Sequence, residues 1–182
     1  MSVRARSAAI IAALVLVDRA TKWIIRTRVS GFDIIPVIPG FFNIVHTENP
    51  GAAFGFLSDT TFPWRRLLLV GISVAVMAII GWMLWRAPAS DPHMSALMRT
   101  GLALVFGGAL GNLWDRALVG TVTDFLQFFF GSYEFPSFNA ADSAITIGAG
   151  LLLLDLWRTR GREMTGKQSS ARPEPTQGRK DA

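Results

Sequence analysis

Two aspartates, Asp124 and Asp142, are the residues of this chain best suited to bond-breaking chemistry, because both adjoin strongly apolar sequence. Brought together in a partly dry site, two carboxyl groups cannot both ionise cheaply, since like charges at close range raise one of the two pKa values. One then accepts a proton while the other can donate it. Such a pair can activate water against a carbonyl without serine, cysteine or metal, and its titration belongs to the pair rather than to either member. Other polar groups recur at helical spacing: Asp18 with Lys22, and Asn112 with Arg116, are i,i+4 pairs that each share one helix face. Asp115 adjoins Arg116, and Asn139 is suited to cap a helix carrying Asp142 one turn inside. The chain has no cysteine, which excludes disulfides, thiol nucleophiles and thiolate metal sites. His46 and His93 lie far apart, so no histidine triad or metal site is expected, and no cofactor.

The elements that must position these groups follow from apolarity. Hydrophobic residues make up 51% of the chain and its mean hydropathy is +0.37, with the charges crowded into short stretches and one tail. That composition belongs to a membrane protein. Four spans are predicted, over about residues 7–25, 67–85, 95–114 and 139–157, as one bundle within a single domain of residues 1–160. Only the second is wholly free of charge; the others carry ionisable groups at or near their ends, a costly placement unless it is used. The N-terminal run after Arg4 and Arg6 copies a secretory signal, but it ends in Asp18-Arg19-Ala20-Thr21-Lys22 instead of a small-residue cleavage site, so it reads as an uncleaved first span.

Counting Lys and Arg with the N-terminus inside puts eleven on the inner side and four on the outer, which sets both termini in the cytoplasm. Seven of the 18 basic residues fall in the last 25, and residues 161–182 read as a disordered basic tail facing anionic lipid rather than a nucleic-acid surface. The first outer loop, residues 26–64, is too long for a simple connector. Its stretches 33–37 and 41–46 are rich in Ile, Val and Phe and broken by prolines and a glycine, which predicts a small β-sheet on the outer surface. The apolar run 124–130 is expected to lie at or in the membrane interface. With this topology Asp18, Lys22, Asn112, Asp115, Arg116, Asp124, Asn139 and Asp142 all fall at one depth, toward the outer face. Random placement would scatter them.

Several of these groups admit a second reading. Asp115 with Arg116 reads equally as an ion pair orienting the third span or as a substrate contact, and Asp18 with Lys22 equally as a snorkelling pair. Gly107, Gly108 and Gly111 sit in an apolar helix, which favours close helix packing over a phosphate loop. Asn49-Pro50-Gly51 reads as a turn in which Gly51 supplies a positive φ, with substrate-facing backbone as the functional alternative.

Five ordered motifs carry a family resemblance: Asp18-x-x-Thr21-Lys22; Asn49-Pro50-Gly51-Ala52-Ala53-Phe54-Gly55; Gly107-Gly108-Ala109-Leu110-Gly111-Asn112-Leu113-Trp114-Asp115-Arg116; Val122-Thr123-Asp124-Phe125; and Phe138-Asn139-Ala140-Ala141-Asp142-Ser143. Over about residues 10–157 the chain resembles the lipoprotein signal peptidases. The resemblance implies an intramembrane aspartic endopeptidase with Asp124 and Asp142 as its catalytic dyad. It implies that Asn112, Arg116 and Asn139 line the cleft for substrate and inhibitor, and that Asp18, Lys22, Asn49, Gly51 and Asp115 contribute to binding or its architecture. The implied substrate is a prolipoprotein cut just before a cysteine already bearing a diacylglyceryl group. The implied inhibitor is the peptide antibiotic globomycin. The implied location is the bacterial inner membrane, as a multi-pass monomer among lipids with its active site toward the periplasm. Two departures from the family pattern, Pro136-Ser137 before Phe138 and Thr123 at a commonly aliphatic position, bear on local packing. Two rivals predict otherwise. A small proton-coupled transporter needs acids along a crossing path, and a non-catalytic scaffold binding acylated chains would tolerate Asp→Asn exchange.

Overall fold

The computed structural model describes residues 1–51, 64–86, 91 and 94–170, the side chains of Arg65 and of residues 160–170 excepted. Positions 52–55 of the turn motif, His93 and the tail from 171 lie outside the described residues. Among the described residues four helices and four strands alternate in two blocks: α1 (Val3–Arg28), β1 (Ile34–Ile38), β2 (Phe42–Asn49), α2 (Trp64–Arg86), α3 (Ala96–Leu118), β3 (Val122–Phe130), β4 (Tyr133–Phe138) and α4 (Ala140–Ser170). The fold is mainly helical with one small sheet. Each helix overlies an expected span: α1 and α2 overrun theirs at both ends, α3 starts one residue late and runs on to Leu118, and α4 starts one residue late and continues past 157 to Ser170, into the segment read as tail.

Caps mark three of the helix starts. The Ser2 hydroxyl accepts from the Ala5 amide and the Ser95 hydroxyl from the Met98 amide, each relieving an orphan donor of the first turn. At α4 the cap is reciprocal: the Asp142 amide donates to Asn139 Oδ1 at 3.0 Å, and the Asn139 amide donates back to Asp142 Oδ2 at 3.2 Å. This arrangement holds the Asp142 carboxyl at the helix entrance.

Helix α3 is central, packing on α4, α1 and α2. Its glycines let the backbones meet. A Cβ on Gly101 would stand 2.9 Å from the carbonyl oxygen of Gly148, one on Gly148 would stand 2.7 Å from that of Gly101, and one on Gly108 would strike the Ala141 carbonyl. The expected packing role of Gly107, Gly108 and Gly111 therefore holds, with Gly107 against Leu14 and Gly111 against Asp18.

Large apolar side chains point outward, among them Leu67, Ile72, Ile79 and Trp82 of α2 and Leu153 and Trp157 of α4. A helix apolar all round, as α2 is, belongs in a core or a membrane, and α2 is scarcely covered by protein. Among the described residues three helices could cross a membrane by length and composition: α2 over Arg66–Arg86, α3, and α4 over Ala140–Thr159. Helix α1, at 26 residues, is long enough but carries Arg4, Arg6, Asp18, Arg19, Lys22, Arg26 and Arg28. Its charge density separates it from the other three.

The sheet differs from the expectation of one confined to the first loop. Among the described residues it has four antiparallel strands in the order β1-β2-β3-β4, so the run 124–130, expected at or in the membrane interface with no strand assigned to it, forms an inner strand. Its β-branched and aromatic residues suit a strand, its backbone gains partners on both sides, and Gly131 at φ +65° supplies the turn into β4. Pro36 and Pro136 fall on the two edge strands, where a missing N–H is tolerated. Phe41, Phe42, Phe128, Phe130, Phe135 and Phe138 form a connected aromatic ladder across all but β1, with Phe42 and Phe128 stacked at 4.7 Å.

Candidate active site

The end of the bundle beneath the sheet collects the polar groups. Asp124 comes from the start of β3, Asp142 from the first turn of α4, Asn112 and Arg116 from the last turns of α3, and Asn49 and Gly51 from the end of β2 and its turn. Asp124, Asp142, Arg116, Asn49 and Gly51 line one cavity of about 570 Å³, within the range of small-molecule and peptide sites. Leu69 of α2, Phe135, Phe138, Thr146 and Ile147 complete its largely apolar wall.

Each carboxyl is held by amides. Asn49 Nδ2 donates to Asp124 Oδ2 at 2.9 Å, and Asn139 Nδ2 donates to Asp124 Oδ1 at 2.7 Å. Asn112 Nδ2 donates to Asp142 Oδ1 at 2.7 Å, opposite the capping contact on Oδ2. Asn112 and Asn139 are themselves joined, Asn139 Nδ2 reaching Asn112 Oδ1 at 3.3 Å. The two aspartates are thus tied to one buried asparagine pair. Gly51 takes φ +107°, its amide donating to Asn49 Oδ1 at 2.8 Å, so the expected turn also fixes the amide that holds Asp124.

A layer of charge stands behind this wall. Lys22, fully buried, donates to Asn112 Oδ1 at 2.9 Å and pairs with Asp18 Oδ1 at 3.0 Å and Asp115 Oδ2 at 2.8 Å. Arg19 pairs with Asp18 at 2.8 Å and Asp115 at 2.7 Å, and Arg26 Nη2 reaches Asp115 Oδ1 at 3.1 Å. Asp115 therefore pairs with α1 cations, and the reading of Asp115 with Arg116 as a mutual ion pair gives way to this one. Removing charge from water is repaid only when partners surround it, and here Asp18 and Asp115 meet three cations across the α1–α3 seam. Asp18, Lys22, Asp115, Asn112 and Asn139 do not line the cavity; they brace the groups that do. Arg116, by contrast, faces it, and its buried Nε has no hydrogen-bond partner among the described residues.

The Asp124 carboxyl is 3% exposed and is pushed up from its ordinary 3.8 to about 6. Burial is the largest cause and the Asp142 charge adds to it, while the hydrogen bonds from Asn49 and Asn139 and the Lys22 charge pull the other way. The group is accordingly protonated below about pH 6 and ionised above it. In infrared difference spectra the protonated-carboxyl band that vanishes in Asp124→Asn is expected to disappear with a midpoint near pH 6. A midpoint near the ordinary carboxylate value would contradict this environment.

Arg19, Arg26, Glu48 and Thr123 escaped the sequence reading as members of the site. A signal existed for two of them: Asp18, Lys22 and Arg26 recur at i, i+4 and i+8, so they lie on one face of α1, and Arg19 adjoins it. Glu48 and Thr123 had none, because they meet only through strand register.

Comparison with known proteins places this geometry in context. The family model described as signal peptidase (SPase) II matches residues 10–158, which include every residue named in the cavity and its bracing layer. Lipoprotein signal peptidase of Solibacter usitatus (strain Ellin6076) is 48% identical over 151 residues, covering 82% of this chain and 90% of that one. Lipoprotein signal peptidase of Maridesulfovibrio salexigens is 41% identical over 154 residues, covering 84% and 96%. A solved structure described as a bacterial membrane enzyme determined by the in meso method superposes with a TM-score of 0.72 at 31% identity, covering 95% of both chains.

Proposed function

The chain belongs to the signal peptidase II family of aspartic peptidases, and on that premise we propose that it removes signal peptides from diacylglyceryl-modified prolipoproteins by cutting just before the lipidated cysteine, with Asp124 and Asp142 as the catalytic pair. The observation that carries this reading is that both carboxyls, distant in sequence, line one cavity while tied to the same Asn112–Asn139 amide pair. A water between them loses a proton to the pair as its oxygen attacks the scissile carbonyl. When the C–N bond breaks, the proton held by the pair passes to the departing amine. The products are a free carboxyl on the leader and a free amine on the lipidated cysteine, and no cofactor takes part. Arg116, facing the cavity with its Nε unpartnered, is suited to bind a carbonyl oxygen of the extended peptide.

In this reading α1 is the fourth span, both termini are cytoplasmic, and the sheet lies on the periplasmic surface of the inner membrane. The α1–α3 ion cluster supports that placement, because Asp18 and Lys22 reach the interior of the bundle already paired. The precursor enters sideways between helices, its acyl chains in the bilayer and its peptide along the apolar cavity wall. In this reading the enzyme acts as a monomer.

The test is a cleavage assay with purified protein and two precursors, one diacylated and one not. Release of the leader from the diacylated precursor alone, blocked by globomycin, is expected. Equal cleavage of both, or none of either, would refute the assigned substrate.

A further inference from the structure

The end of β2 and the start of β3 face each other with Glu48 opposite Thr123, Thr47 opposite Asp124 and Asn49 opposite Val122. Just beyond, the ladder slips: Ile44 opposes Leu126, so two residues of β2 face Phe125 alone. A bulge of this kind weakens backbone pairing locally. The ladder is thus interrupted at Phe125, immediately after Asp124.

Side chains supply a substitute. Thr121 Oγ1 donates to Glu48 Oε2 at 2.6 Å and Thr123 Oγ1 donates to Glu48 Oε1 at 2.9 Å. Arg26 Nε donates to Thr123 Oγ1 at 2.7 Å and stands 3.8 Å from Glu48, while its Nη2 reaches Asp115. His46 Nε2 lies 3.1 Å from Glu48 Oε1, and its Nδ1 lies 2.8 Å from the Val29 carbonyl. Thr123 is fully buried, with its hydroxyl spent once as donor and once as acceptor. Successive residues of a strand face opposite sides, so Thr123, with Thr121 just before the strand, meets Glu48 while Asp124 turns toward Asn49, Asn139 and the cavity.

We propose that Glu48 is a positioning residue for Asp124: by clamping Thr121 and Thr123 against Arg26 it sets the height and angle at which β3 delivers the Asp124 carboxyl to the cavity. Glu48 never touches the reacting atoms. Partial burial opposes its ionised form, but the Thr121, His46 and Thr123 contacts and the Arg26 charge outweigh it and hold the group below the ordinary carboxylate range. The clamp therefore persists at neutral pH. Because Arg26 also holds Asp115, beside Arg116, the same guanidinium links the strand that carries Asp124 to the helix that carries Arg116.

The inference rests on the proposed role of Asp124 and is tested in the full-length protein with the diacylated precursor. In Glu48→Ala, kcat is expected to fall roughly ten-fold with KM little changed, since a misplaced reacting group costs turnover more than binding. The infrared midpoint of Asp124 is expected to rise, because slack in β3 weakens the Asn49 and Asn139 hydrogen bonds that favour its charged form. Glu48→Gln, which keeps one acceptor oxygen, recovers part of both effects. The isosteric pair Thr121→Val with Thr123→Val reproduces the Ala result from the other side of the clamp and serves if Glu48→Ala fails to fold. A lowered melting temperature with wild-type kcat and an unmoved midpoint would overturn the proposal by reducing Glu48 to a structural brace. Asp124→Asn is run alongside. If that variant is active, the catalytic reading fails; if it is inactive while the Glu48 and threonine variants turn over normally, only the positioning inference fails.

Discussion

Asp124→Asn and Asp142→Asn proteins are expected to lose cleavage by roughly 10³-fold or more, while remaining folded and able to bind the diacylated precursor. General acid–base catalysis by a positioned group supplies about 10²–10⁴-fold, and a pair that shares one proton fails as a unit. The double variant should therefore be no worse than either single one, because groups that act as a unit are grossly non-additive. Folding should survive. At Asp124→Asn the Asn139 and Asn49 amides face Oδ1 and Oδ2, so one donor loses its acceptor at a cost of about 1–3 kcal/mol, offset by removal of a buried charge. The measurement is initial rate on the precursor together with a melting curve and a binding isotherm. Wild-type turnover by either variant would remove that carboxyl from the mechanism.

Lys22→Met is the substitution expected to damage the fold most. The thioether matches the lysine stem in length and fills the same fully buried site, so the change removes charge with little change of volume. It strips Asp18, Asp115 and Asn112 of a donor at 3.0, 2.8 and 2.9 Å respectively. Deleting one partner of a buried ion cluster leaves uncompensated charge and costs about 3–5 kcal/mol. For a chain of this size that corresponds to a melting temperature lower by roughly 10 °C. Adding Asp18→Asn to Lys22→Met should restore part of the loss, since the orphaned carboxylate is what costs energy, and the cycle of single and double variants isolates the coupling. An unchanged melting temperature would mean that Arg19 and Arg26 alone satisfy both acids. Activity should fall further than stability alone predicts. Asn112 then loses the donor that fixes which end of its amide faces Asp142, and the proposed catalytic pair loses its registration.

These two outcomes separate two jobs that the sequence presents as one cluster. Asp124, Asp142, Arg116, Asn49 and Gly51 face the cavity, whereas Asp18, Lys22, Asp115, Asn112 and Asn139 stand behind it. The family resemblance implied that Asn112 and Asn139 line the cleft. Here their hydrogen-bonding capacity is turned inward: Asn139 Nδ2 reaches Asp124 and Asn112, and its Oδ1 takes the Asp142 amide. A buried amide whose groups are committed to neighbours positions better than it binds.

The placement of the helices, the gathering of the acids at one end, the cap that sets Asp142 in the first turn of α4 and the tight glycine seams of α3 were all legible from the chain alone. Each depends on local periodicity: 3.6 residues per turn decides which side chains share a face, and long uncharged runs decide what can stand in lipid. What the chain could not disclose was long-range. That the run 124–130 pairs with β2 and β4 was not legible in it, since strand pairing and register arise between segments far apart in sequence. Glu48 meets Thr121 and Thr123 for that reason alone, and a bulge in β2 decides how they meet. Likewise, that Asp115 answers to α1 rather than to its neighbour Arg116 was settled by the α1–α3 packing. Sequence determined which groups were candidates for the chemistry and that they gather at one end of the helices. Tertiary structure decided which of them face the cavity, because a side chain's partners are chosen by packing across elements and not by its position along one.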